Sequence, residues 1–204
     1  MKKLIRILAV CLVITLALTS CAPESGIRAG AWDGRIFGND WSNIVVNAQG
    51  AYRALSPDEM REIAGSGEDT AVNDPYAKVA PAEVKTWYDF IVFSGDGISN
   101  IQLRYENLAF NPEAKDVDAA GYFGILKDEL EAGGLRYTFS DPTQRVIGGE
   151  EYLMGRVLVE GGLMIQNYYI RKHDGAFIII TATSLPSIES EIARFITTFA
   201  PYKW

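Results

Sequence analysis

His173 is the single histidine of the chain, and it stands beside Asp174 in the run Arg171-Lys172-His173-Asp174-Gly175. An imidazole next to a carboxylate is a general base only when a nucleophile lies within hydrogen-bond reach and a pocket surrounds both. Asp-Gly is tight-turn chemistry, so His173 is expected as a solvated turn residue. Asp116, Asp118 and Gly121 match positions 1, 3 and 6 of a calcium-binding loop, but Ala120 stands at position 5 and Lys127 where a bidentate glutamate is required. Those aspartates are expected to cap a helix instead, Asp116 or Asp118 being the cap. Carboxylate pairs are plentiful (Glu150-Glu151, Asp128-Glu129, Glu189 with Glu191), but adjacent ones on a strand or helix point in different directions, which predicts a solvated acidic face rather than a glycosidase pair. Gly161-Gly162 separates two strands, not a strand and a helix, and neither Ser94-Gly95-Asp96-Gly97 nor Gly148-Gly149-Glu150-Glu151 has the form of a phosphate cradle. No catalytic residue, metal site or cofactor is expected, and the chain is read as a non-enzyme. Trp41, Tyr52, Trp87, Tyr88, Tyr168 and Tyr169 are expected mainly in the core; any left exposed would mark a binding surface. Tyr168 and Tyr169 must face opposite sides of one strand.

Thiol chemistry is confined to the first residues. Lys2, Lys3 and Arg6 precede an apolar run from Leu8 to Leu18, a secretory-signal length and too short for a membrane span. The run closes on Leu18-Thr19-Ser20-Cys21, which resembles a bacterial lipobox. The resemblance implies cleavage before Cys21, acylation of its sulfur, and anchoring to the extracytoplasmic face of a bacterial membrane; the competing reading is an ordinary signal peptide with a chance cysteine, or an uncleaved anchor. Each buried methylene of an acyl chain contributes about 0.8 kcal/mol, and two or more chains make anchoring stable. Cys11 would leave with residues 1–20, so a chain cleaved there has no unmodified thiol for disulfides or nucleophilic catalysis.

Cleavage there would leave 16 basic against 26 acidic residues, a net charge of about −10. An acidic body is repelled by phosphodiesters and anionic lipid headgroups, so no nucleic-acid partner is expected. Residues 21–31 read as a featureless tether with a reach of roughly 15–20 Å. Residues 32–204 read as one domain whose apolar content can bury a single core.

The centre of that domain is the stretch from Glu151 to Thr183, three antiparallel strands joined at Gly161-Gly162 and His173-Asp174-Gly175. Its strands carry apolar residues on both alternating sets, which predicts a sheet covered on both faces. Ahead of it, Arg35 to Ala54 predicts a hairpin turning at Gly38-Asn39-Asp40. Ser56-Pro57-Asp58-Glu59 opens a short helix with a capping box that ends near Ala64. Residues 65–82 read as a long irregular loop. Trp87 to Ser94 and Asn100 to Leu108 are strands, Ala119 to Ala132 a helix ended by Gly133-Gly134, and Leu135 to Phe139 and Arg145 to Ile147 short strands. Ser187 is expected to cap a final amphipathic helix with the stripe Ile188, Ile192, Phe195, Ile196 and Phe199.

This order resembles the PsbP-like superfamily, which includes the photosystem II extrinsic protein, the Ran-binding Mog proteins and many small bacterial lipoproteins. The likeness is carried by Asp118-Ala119-Ala120-Gly121-Tyr122 through Gly134, the meander from Tyr152 to Thr183, and Ile188 to Phe199. It implies an α+β fold, an antiparallel sheet covered by helices in an α/β/α sandwich. It implies no chemistry, because members of the superfamily share none.

Three functions are compatible with these features. The first is a membrane-anchored binding or scaffolding module of the cell envelope, its partner an envelope protein or small ligand. The second is an envelope enzyme using a carboxylate pair. The third is a small-ligand sensor or accessory subunit using the loop at 65–82.

Overall fold

A computed structural model describes residues 26–65 and 69–203. The signal segment, Cys11, Cys21 and residues 66–68 after the first helix lie outside the described residues.

Two sheets organise the described residues. β1 (Ala31–Asp33), β2 (Ile36–Asn39) and β3 (Ile44–Asn47) form a small antiparallel sheet. The large sheet contains β4 (Arg53–Ala54), β5 (Thr70–Val72), β6 (Thr86–Phe93), β7 (Asn100–Asn107), β8 (Tyr137–Phe139), β9 (Thr143–Ile147), β10 (Glu150–Val159), β11 (Met164–His173) and β12 (Ala176–Ser184). Its order is β4-β6-β7-β12-β11-β10-β8, with β5 parallel to β6 and β9 alongside β10. The helices are α1 (Pro57–Ala64), α2 (Ala119–Ala132) and α3 (Glu189–Ile196). Every residue of the central strand β12 is buried, as a sheet covered on both sides requires.

One face of the large sheet packs against the small sheet and α3: Ile178, Ile180 and Tyr105 meet Phe37, Ile44, Ile192, Phe195 and Phe199. On the other face α2 lays Tyr122, Phe123 and Leu126 over Tyr168, Ile170, Phe177 and Ile179. α1 covers the β6 edge of that same face through Met60 and Ile91. Tyr168 and Tyr169 accordingly fall on opposite faces. The approach of α2 is close: a Cβ on Gly155 would lie 2.1 Å from the Phe123 ring, so only glycine fits that position of β10. The architecture is the expected α+β fold, an antiparallel sheet between helical layers, with the small sheet as an added part of one layer.

Local chemistry explains most boundaries. Ser56 and Glu59 close the capping box of α1. Asp118, not Asp116, caps α2 by accepting from the Gly121 amide at 2.8 Å. Asp174 and Gly175 both take positive φ in a two-residue hairpin turn.

Four expectations need correction. Residues 26–31 are not tether: Ile27 is buried in the core and β1 begins at Ala31. Gly38 and Asn39 do not turn but remain in β2, opposite Val45 and Ile44; the turns fall at Gly34, with φ +60°, and before β3, where Asn43 takes φ +57°. The stretch after α1 is not wholly irregular, because Thr70–Val72 pairs in parallel with β6 and Pro81–Glu83 forms a 3-10 turn. Ser187 does not cap the last helix: Pro186 starts a 3-10 turn, and α3 opens at Glu189 with Ile188 in the cap position.

Candidate functional site

A cleft of about 560 Å³ opens between the N-terminal segment, α1 and the turn after β5. Its walls are mainly apolar: Ala31 and Trp32 on one side, Leu55, Pro57 and Met60 on another, and Pro75 with Tyr76 at the mouth. Tyr76 is 93% exposed, although large aromatic rings normally find cover. The volume and lining fall within the range of small-molecule and peptide pockets, about 300–1,000 Å³.

One buried carboxylate holds the N-terminal wall and the turn after β5. Asp89 sits in β6 at a β-bulge, where the register slips between Tyr88 and Phe90. The extra residue lets Trp87, Asp89 and Phe90 all face the small sheet. Asp89 accepts from the Gly30 amide at 2.9 Å, Asn73 Nδ2 at 2.9 Å, Asn39 Nδ2 at 2.8 Å, Trp87 Nε1 at 3.2 Å and the Tyr105 hydroxyl at 2.6 Å. Gly30 and Asn73 line the cleft themselves, and Asn73 Nδ2 also donates to the Gly30 carbonyl at 2.8 Å. Burial pushes the Asp89 carboxyl above its ordinary value, while the hydrogen bonds from Tyr105, Gly30, Asn39 and Trp87 pull it back. Burial likewise raises the Tyr105 phenol, and the adjacent Asp89 raises it further. Asp89 is sealed from solvent, so it positions the cleft rather than acting within it.

The mouth carries a second arrangement. Arg61 of α1 pairs with Asp58 at 2.5 Å and with Asp74. Asp74 also accepts from the Tyr76 amide at 2.8 Å, which shapes the turn that presents the ring. That backbone hydrogen bond, then Arg61, holds the Asp74 carboxyl below its ordinary value. One guanidinium between two carboxylates leaves this side of the mouth with a net negative charge.

The residues singled out from the sequence lie elsewhere. His173 is the last residue of β11, opposite Ala176, not a free turn residue. Its ring is half-buried against Trp41, with centroids 5.2 Å apart. Burial, then the nearby Arg171, lowers its pKa. Trp41, Trp87, Tyr168 and Tyr169 are buried, and Tyr52 stacks on Phe195 with centroids 3.9 Å apart. Glu150 is bound to Arg171 at 2.9 Å and Glu189 to Arg156 at 3.0 Å. Among the described residues no group of three or more His, Cys, Asp or Glu is placed to hold a metal ion, and no helix is long and apolar enough to cross a membrane. Asp89, Asn73 and Trp32 were not anticipated as site residues. The available signal was a lone aspartate inside the apolar strand Trp87-Tyr88-Asp89-Phe90-Ile91-Val92-Phe93.

No protein-family model and no curated protein matches the chain. Among solved structures it is similar to the solution structure of cyanobacterial PsbP (CyanoP) from Synechocystis sp. PCC 6803, at 13% identity and a TM-score of 0.47, covering 91% of this chain and 99% of that one. The likeness is one of fold alone.

Proposed function

We propose that the chain is a membrane-anchored, extracytoplasmic lipoprotein that works as a binding module, with the cleft beside its N-terminal segment as the binding site. The observation that carries this reading is the pairing of an apolar-walled cleft with a buried carboxylate that fixes its N-terminal wall and the turn at its mouth. A preformed site costs a ligand less ordering on binding.

The lipobox at Leu18 to Cys21 supplies the anchor in this reading. Five residues lead from Cys21 to Gly26, a span of at most about 18 Å even fully extended. The docked segment then runs directly into the cleft wall at Gly30 to Trp32, so the cleft works close to the bilayer. The acidic surface favours a protein or small-molecule partner over anionic lipid or nucleic acid. Arg61 ties Asp58 and Asp74 into ion pairs, which fixes the shape of the mouth.

A photo-crosslinking residue in place of Tyr76, introduced in the parent organism, tests the proposal. A recurrent adduct in the membrane fraction is expected. No adduct under several growth conditions would count against it.

A further inference from the structure

The face of the large sheet that carries α1 and α2 is not fully covered. α1 packs at the β6 edge and α2 on the β10 to β12 side. Between them lies a notch of about 280 Å³ with a floor of strand residues in register. Gln102 of β7 lies opposite Thr181 of β12, which lies opposite Tyr168 of β11; the row above pairs Asn100, Thr183 and Gln166. Arg104 stands one position below Gln102 on the same face of β7. One wall is the pair Leu126 and Leu130 of α2, four residues apart and therefore side by side.

Arg104 is the unusual member. It is ion-paired with Glu106 at 3.5 Å, too long for a strong charge-assisted hydrogen bond, and its guanidinium also hydrogen-bonds the Tyr88 side chain. Its Nε is buried without a hydrogen-bond partner. The five N–H donors of a guanidinium exceed what Glu106 and Tyr88 take up, so the side chain that lines the notch keeps donors for a ligand. The other floor groups are neutral amides and hydroxyls, and Thr181, Thr183 and Gln102 can all donate.

We infer that this notch binds a small monocarboxylate bearing a short aliphatic group, with the carboxylate on Arg104 and the floor donors and the aliphatic part against Leu126 and Leu130. A carboxylate fits the fork of an arginine with two parallel N–H···O bonds, as no neutral group does. The volume falls just below the range for drug-sized ligands, so the occupant is small. Glu129 at the mouth disfavours a second negative charge and accepts an ammonium. A free aliphatic amino acid and the C-terminal end of a peptide share this chemistry. The site is separate from the cleft held by Asp89 and stands or falls independently of it.

Isothermal titration of the full chain in detergent micelles with leucine, N-acetyl-alanyl-leucine, leucinamide and succinate tests the inference. Heat from leucine identifies a free amino acid, and heat from the capped dipeptide alone identifies a peptide terminus. Leucinamide and succinate should bind at least tenfold more weakly than the preferred carboxylate. Arg104→Gln should abolish the heat, and Arg104→Lys, which keeps charge but loses the fork, should weaken it at least tenfold. Thr181→Val removes a floor donor without touching Arg104 and should weaken binding severalfold. That variant decides the matter if the arginine variants fail to fold. Binding of neither carboxylate, equal binding of leucinamide, or unchanged binding in folded Arg104→Gln or Thr181→Val would overturn it.

Discussion

The Tyr105 hydroxyl donates to Asp89 over 2.6 Å, from one strand of the large sheet to its neighbour, in a place no solvent reaches. The partners are staggered by the bulge in β6. Around that contact the structure gathers the N-terminal segment through Gly30, the small sheet through Asn39 and the turn after β5 through Asn73. Four parts of the chain that are distant in sequence thus meet on one carboxylate.

Asp89→Asn keeps the shape but aims an amide N–H₂ into donors that already point inward. Leaving such buried donors unpaired costs about 3 kcal/mol. For a domain of this size that is a fall in Tm of roughly 6–12 °C. Tyr105→Phe removes one donor and should cost about 1.5–2 kcal/mol. Urea unfolding of both variants, with unchanged m, checks the ordering.

Gly155→Ala should destabilise by about 1–3 kcal/mol, because the added methyl meets the Phe123 ring and α2 must lift from β10. Gly155→Ala combined with Phe123→Leu should recover part of the loss. The thermal midpoints of the single and double variants measure that coupling.

His173 gives a clean pH reporter, since no other histidine contributes. Burial, then Arg171, lowers its pKa in the folded chain. The unfolded chain therefore binds more protons between the folded value and the ordinary one near 6.5. This residue's contribution to stability is complete above the ordinary value and is lost as pH falls toward the folded one. The histidine ring resonances in an NMR titration should show a midpoint below 6.5; one at or above it would contradict the packing on Trp41.

Tyr76→Ala should leave stability within about 0.5 kcal/mol, because the ring is almost wholly exposed. If the cleft binds as proposed, the same change weakens partner capture severalfold. Quantified crosslinking from a probe on the opposite wall, at Ala31, separates lost affinity from lost fold.

The parts legible in the sequence are those set by neighbours along the chain. The capping box at Ser56 and Glu59, the α2 span from Ala119 to Ala132 and the Asp174-Gly175 turn depend on residues a few positions apart. The site depends on pairing between distant strands. Asp89 stands in an apolar strand, and only the bulge against β7 turns it toward Tyr105 and Asn39. β5 pairs with a strand fourteen residues downstream and in parallel, which no local pattern signals. The Gln102, Arg104 and Glu106 alternation in β7 was readable as a polar face. That it opens between α1 and α2 follows from where those helices dock.

The anchor is the claim on which the cellular reading turns. Intact mass spectrometry of the N-terminal fragment, taken from membranes of the parent organism, tests it directly. The account predicts a fragment beginning at Cys21 and carrying the added mass of acyl chains; a soluble fragment with an unmodified Cys21 thiol would contradict it.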